Sequence, residues 1–285
     1  MGDGDGWSNC DVGHRHWGRY GAAGLLLYHQ DADPYVLLQK RSRLSIGGGT
    51  WGLLGGARHS HEGPIEAALR ESSEESTLDP STVRVHWLST EDHGGWSYET
   101  AIGSVPERVH VRPRSFESAQ VAWVPAGEVA SMKLFPAFAE SWERLRHSLH
   151  RVVLVVDTAN VMGSRADGWW RDRRGAAERL RDEIARIDGF TGVPGAIADL
   201  CYPSIIMVTE GAARGVASTE GVEVVAAPGS GDDTITDLAA PTAPDERRLV
   251  VTADRELRAR CEAAGATAIG PRWLLDAIQR VCSPS

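Results

Sequence analysis

The run Arg151–Val156, apolar after its first residue and closed by Asp157, divides the sequence into two differently patterned parts. After it, short apolar runs alternate with helical stretches. Ser204–Val208, Val222–Ala226 and Leu249–Thr252 are the runs; Gly175–Ile187, Asp232–Ala240, Arg255–Ala264 and Arg272–Val281 are the helices. That alternation predicts βαβ units around a parallel sheet buried on both faces. Before it, the predicted elements are mostly strands: Ala22–His29, Tyr35–Arg41, Trp51–Leu54, Val83–Leu88, Trp96–Ile102 and Gln120–Val124. Only two helices interrupt them, at Pro64–Ser76 and Phe138–His147, which predicts an α+β unit with a mixed sheet. The expected fold class is α/β overall. With 285 residues, two domains are expected: 16–148 and 151–285, after a flexible acidic, Gly-rich lead-in over 1–15.

Charge narrows the function classes. The first 150 residues carry 14 basic and 19 acidic groups, the rest 16 and 20, so neither half has the basic field of a generic polyanion binder. Nucleic acid would need a local basic patch or a metal. Cys10, Cys201, Cys261 and Cys282 include no CxxC pair, so neither a zinc site nor a redox motif is expected. His14 and His16, in the lead-in, are expected to have no specific role. The sparse thiols, the absence of a signal-peptide pattern and the lack of a membrane-length apolar run point to a cytoplasmic protein.

The first chemical constellation starts at Gly56: GARHSHEGPIEAALRESSEESTL. Pro64 suits the first helical position. On that helix Glu71, Glu74 and Glu75 stand at i, i+3 and i+4, so their charges crowd one face. A solvated acidic face would look the same by periodicity. A divalent cation would turn the repulsion into attraction, and Mg²⁺ favours carboxylate, water and phosphate oxygens.

The order of residues resembles the Nudix box, G-x5-E-x7-R-E-U-x-E-E-x-G-U, with Gly56, Glu62, Arg70, Glu71, Glu74, Glu75 and Leu78 in place. Ser72 stands at an apolar position and Thr77 at the usual Gly. The resemblance, over about residues 20–147, implies an α/β/α sandwich that hydrolyses a phosphoanhydride of a nucleoside diphosphate derivative with Mg²⁺ or Mn²⁺. It implies that Glu71, Glu74 and Glu75 bind metal, with the Gly56 carbonyl as a further ligand, and that Glu62 and Arg70 brace the loop. Glu117 is the weaker candidate for an extra ligand or base. Because Ser72 and Thr77 depart from the pattern, a catalytically weak, nucleotide-sensing domain is the alternative.

The second constellation lies at strand ends, where parallel α/β sheets bind ligands. Asp157 closes one apolar run, Asp232 and Asp233 follow another across a Gly-rich turn, and Asp254 follows a third. Each Asp also suits a helix N-cap. VVDTANVMG, GSGDDTITDLA and VVTADRELRAR resemble the NYN domain of the PIN-like nucleases. That resemblance implies metal held by Asp157, Asp233 and Asp254, support from Asn160, Asp232 and Asp237, and cleavage of RNA. Trp169 and Trp170, followed by Arg171, Arg173 and Arg174, are the candidate nucleic-acid contact, since aromatics stack bases and guanidinium groups hold phosphates. Oligomeric state has no signature in the sequence.

Overall fold

Instead of a flexible lead-in, the first residues form a ribbon: β1 (Trp7–Asn9) pairs antiparallel with β2 (Arg15–Trp17). Trp7 lies opposite Trp17, their rings edge-on at 5.5 Å, and cross-strand aromatic pairs of this kind stabilise two-stranded ribbons. The computed structural model describes residues 2–43, 45 and 47–282. They fall into two units, Met1–Leu149 with Ala196–Leu200, and His150–Gly195 with Cys201–Ser285.

The first unit is built on β3 (Ala22–Gln30), whose residues 22–28 are all buried. The strand is apolar without alternation because it is covered on both faces. β4 (Pro34–Arg41) returns antiparallel to it, and β5 (Trp51–Gly52) pairs with β4. β6 (Leu54–Ala57) runs antiparallel to β3, setting Gly56 opposite Ala23. Helix α1 (Pro64–Glu75) packs on β3 and β6. β7 (Arg84–Asp92) pairs with β8 (Ser97–Ser104), which lies parallel to β3; β9 (Ser118–Pro125) pairs with β4. The mixed sheet therefore runs β7-β8-β3-β4-β5. Helix α2 (Pro136–Leu145) buries Phe138, Trp142 and Leu145.

In the second unit, β10 (Arg151–Asp157) is followed by α3 (Thr158–Gly163) and α4 (Arg173–Ile184). The two-residue strand β11 (Leu200–Cys201) falls where the chain leaves the first unit for the second. Then come β12 (Ser204–Thr209), β13 (Val222–Ala226), α5 (Gly231–Ala239), β14 (Glu246–Val251), α6 (Arg255–Ala263), β15 (Thr267–Ile269) and α7 (Pro271–Cys282). The sheet is entirely parallel, ordered β13-β12-β10-β14-β15. β10 is central, and the order reverses around it. Val153, Val155, Val208, Val250, Ile235 and Leu257 share one core under α5 and α6. Among the described residues, no helix is long and apolar enough to cross a membrane.

The two departures in the α1 segment have structural answers. Ser72 is fully buried, and its hydroxyl donates to the Leu69 carbonyl at 2.7 Å, so the polar group is satisfied inside the helix. The helix does not end in a left-handed residue. Ser76 is extended (φ −143°, ψ 173°), and its hydroxyl donates to the Ser72 carbonyl at 2.7 Å. Thr77 exchanges two bonds with Arg112: its N–H donates to the Arg112 carbonyl (2.9 Å), and its hydroxyl accepts from the Arg112 N–H (2.9 Å). The Arg114 N–H donates to the Glu75 carbonyl at 2.8 Å. Thr77 supplies the hydroxyl acceptor of this pairing, where a glycine would add only backbone freedom. Thr77→Gly is therefore expected to destabilise the protein by about 1 kcal/mol in urea unfolding, through the lost acceptor and the added backbone entropy. Equal or greater stability would show that a left-handed glycine end is available and better.

Candidate active sites

In the first unit the site is assembled around Arg70. Its Nε donates to Glu62 at 2.6 Å and one terminal nitrogen donates to the other Glu62 oxygen at 3.0 Å, a two-point fork. The same nitrogen reaches the Ala57 carbonyl at 2.9 Å, and the remaining one reaches Glu71 at 2.8 Å and Glu74 at 3.5 Å. Glu62 also accepts from the His59 N–H at 3.0 Å. One guanidinium thus joins the end of β6, the loop and α1. Its hydrogen bonds hold Glu62 down at about 2 and raise Arg70 above its ordinary value.

Glu75 is buried and accepts from the Gln39 side-chain amide and from the Gly55 N–H, both at 2.9 Å. Burial pushes it up to about 8, against the Gly55 N–H, and the neighbouring Glu71 charge adds to the rise. Burial likewise raises Glu71, helped by Glu74. Gly56 lies against Glu71: a β-carbon there would come within 2.6 Å of its carboxyl carbon. The glycine leaves the carboxylate its space. Glu74 is the exposed member of the set, and Glu117, exposed before β9, is near enough for its charge to act on Glu75. Gly56, Glu62, Arg70, Glu71, Glu74 and Glu75 are therefore brought together at the junction of β6 and α1.

Gln39 and Ser118 were not expected. Gln39 is 1% exposed, donates to Leu53 as well as Glu75, and accepts from the Ser118 hydroxyl, which fixes which way the amide faces. The signal for Gln39 was a neutral amide directly after the buried run Val36–Leu38; it needed a partner, and nothing local supplied one.

In the second unit a cleft of about 470 Å³ opens at the carboxyl ends of the strands, lined by Asp157, Asn160, Glu210, Asp232, Ala253 and Asp254 among others. Asp157 caps α3 by accepting from the Asn160 N–H (3.0 Å) and accepts from the Thr252 hydroxyl (2.8 Å). Burial raises its pKa. The Asn160 side-chain oxygen accepts from the Ala253 N–H at 2.9 Å, tying α3 to the end of β14. Asp254 caps α6 through the Leu257 N–H at 2.9 Å. The capping roles and the cleft-lining roles therefore coexist.

Two expectations need correction. Asp233 does not line the cleft; its carboxylate is paired with Arg260 at 2.7 Å on the outer side of α5. Asp232, expected only to support, lines it instead, and its pKa is raised by burial and then by Asp254. Neighbouring residues at a helix start lie about 100° apart, so the two carboxylates leave α5 in different directions. Asp237 is exposed further along α5 and is absent from the lining. Glu210 was missed. It follows β12 directly, as the strand-end rule requires, and accepts from the Gly231 N–H at 2.8 Å.

Trp169 packs beside this cleft: a β-carbon on Gly163, which lines it, would lie 3.8 Å from the Trp169 ring. Arg173 covers the Trp169 face at 5.4 Å, and Arg174 pairs with Glu178 at 3.0 Å. Trp170, 58% exposed, and Arg171 remain open to solvent.

Comparison with known proteins gives the family. The NUDIX domain model matches residues 18–147. The Mycobacterium tuberculosis protein named "Putative 8-oxo-dGTP diphosphatase 3" is 49% identical over 153 residues, covering 51% of this chain and 70% of that protein. A "Nucleoside triphosphate pyrophosphatase/Nudix hydrolase fusion protein" of Bifidobacterium longum is 41% identical over 147 residues, covering 50% of this chain and 30% of that one. Among solved structures, the Nudix hydrolase RenU from M. smegmatis is 42% identical, covering 50% of this chain and 94% of its own, with a TM-score of 0.48. The chain belongs to the Nudix family, through residues 18–147 of its first unit.

The Glu62–Arg70 fork predicts a pH signature. A folded-state value near 2 against an ordinary 4.5 means that Glu62 stabilises fully above about 4.5 and loses this contribution as pH falls through about 2. The Tm gap between wild type and Glu62→Gln should be widest above pH 5 and shrink across that window. A constant gap would contradict the fork.

Proposed function

We propose that residues 16–148 form a metal-dependent hydrolase domain cleaving a phosphoanhydride of a nucleoside diphosphate derivative, with an oxidised deoxynucleoside triphosphate as the first substrate class to try. The observation that carries this is the carboxylate set of α1 braced by Arg70. Glu71 feels the charge of Glu74, and Glu75 that of Glu71, while Arg70 pairs with Glu71 and Glu74. Crowded oxygens of this kind fit a hard divalent cation such as Mg²⁺ or Mn²⁺. Glu71, Glu74, Glu75 and the Gly56 carbonyl would hold it. Bound there, the ion would activate water and neutralise charge on the phosphate oxygens. The protein's own part is positioning. Gln39 and Gly55 orient Glu75, Arg70 orients Glu71, and Gly56 leaves room beside the Glu71 carboxylate. Exposed Glu74 faces solvent, where a phosphate chain and attacking water arrive, and Glu117 is the candidate to accept a proton from that water. The 8-oxo-dGTP in the name of the M. tuberculosis relative motivates the choice of first substrate.

The buried Ser72 and the Thr77–Arg112 pairing bear on the sensor alternative, because both departures are accommodated with α1 intact. A nucleotide panel with Mg²⁺ and Mn²⁺ tests the two readings. Wild type is expected to turn over at least one substrate, and Glu74→Gln to lose roughly 100-fold or more in kcat/KM. Binding without turnover in wild type would favour the sensor.

Residues 151–285 we read as a second domain, a PIN-like, metal-dependent ribonuclease. The strand-end cleft supports this, with ligands now assigned as Asp157, Asp232, Asp254 and Glu210, Asn160 as support, and Trp170 and Arg171 as the open nucleic-acid contact. Asp232→Asn is expected to abolish Mn²⁺-dependent cleavage of single-stranded RNA, while Asp233→Asn leaves most of it. The reverse ranking, or no cleavage by wild type, would refute the assignment.

A further inference from the structure

The N-terminal ribbon carries a side-chain cluster that the hydrolase reading does not use. Cys10 follows β1 directly and opens the short turn that leads back to β2. That turn is held by the Cys10 N–H donating to the His14 carbonyl (3.0 Å) and the Gly13 N–H donating to the Cys10 carbonyl (2.9 Å). Gly13 has φ +85°, a conformation that side-chain-bearing residues resist. The result is a Cys-x3-His-x-His arrangement in which one ligand atom from each of Cys10, His14 and His16 lies within 4.8 Å of the others.

Two observations mark these as more than neighbours. Cys10 is only 5% exposed, packed with Ala22 and Trp96, and forms no disulfide. His16 has a buried Nε2 with no hydrogen-bond partner, a group that costs free energy unless something binds it. Its ring is held in place, stacked on Trp96 at 4.1 Å and 12°, while Trp96 is itself anchored by donating to the Gly18 carbonyl at 2.8 Å. His93 stands beside it, ring centroids 4.8 Å apart.

We propose that Cys10, His14 and His16 form a zinc site that fastens the ribbon to the first unit, with His93 or water in the fourth position. Thiolate and imidazole donors select Zn²⁺, whereas the carboxylates of α1 select a hard cation. Tetrahedral zinc with bonds of about 2.0–2.3 Å sets donors roughly 3.3–3.8 Å apart, so the cluster closes by small side-chain rotations. Binding forms Zn–S and Zn–N bonds, with the thiol proton passing to solvent. Exposed His14 gives the ion its way in. The expectation of no zinc site rested on CxxC spacing alone, and a ribbon turn brings together ligands at other spacings.

The test uses the full chain without a polyhistidine tag, loaded with Zn²⁺ or Co²⁺, desalted and assayed for metal. About one equivalent of zinc is expected to stay with wild type and to be lost in Cys10→Ser and in His14→Asn. The Co²⁺ form should show a thiolate-to-cobalt charge-transfer band that Cys10→Ser lacks. If Cys10→Ser does not fold, His14→Asn, altered at an exposed position, decides. The second cluster of possible donors, Asp3, His59 and His61, is checked with His61→Ala. No zinc retained by wild type, zinc retained equally by Cys10→Ser and His14→Asn, or zinc lost only in His61→Ala would each overturn the proposal.

Discussion

The guanidinium of Arg70 is the constraint on which the first site depends. It holds Glu62 in a fork, the end of β6 through the Ala57 carbonyl, and Glu71 on its own helix. Without it, the loop between β6 and α1 would have to be ordered against its own entropy, and half-buried Glu71 would lose the charge-assisted hydrogen bond it accepts from Arg70. The rest follows from that placement. α1 lies over β3 and β6, Gly56 faces Glu71, and Glu75 reaches the Gly55 N–H and the Gln39 amide. Buried carboxylates are costly alone. Here the cost is shared between fixed donors and, in the reading proposed, a cation.

The second unit solves a similar problem differently. Among the described residues, no arginine fork organises its cleft. Carboxylates come from the ends of parallel strands and the helix starts that follow, so backbone N–H groups orient them: Asn160 on Asp157, Gly231 on Glu210, Leu257 on Asp254. Helix N-termini favour negative charge, which lets several acidic groups approach one another. The reversal of strand order around β10 opens the space they face.

Much of this was legible in the sequence because periodicity and residue order report local geometry. The apolar runs of β3, β10, β12 and β13 and the spacing on α1 are local patterns, and they appear where expected. What escaped depends on long-range partners. Gln39 matters only because Glu75, 36 positions on, is buried against it. Which of Asp232 and Asp233 faces the cleft depends on how α5 is set against α6, where Arg260 pairs with Asp233. The ribbon at Trp7–Trp17 was invisible because its glycines and acids read as a loose lead-in, whereas a Trp–Trp pair and a five-residue turn hold it. Thr77 looked like a broken helix cap, and only Arg112 shows why it is not.

The most direct test of the account is the turnover of Arg70→Lys. Lysine keeps the charge but loses the fork, so it cannot hold Glu62 and Glu71 together. On the best nucleotide substrate of the wild type, kcat is predicted to fall by at least about tenfold while the thermal midpoint moves by only a few degrees. An unchanged kcat would mean that charge alone suffices and that the brace does not organise the site.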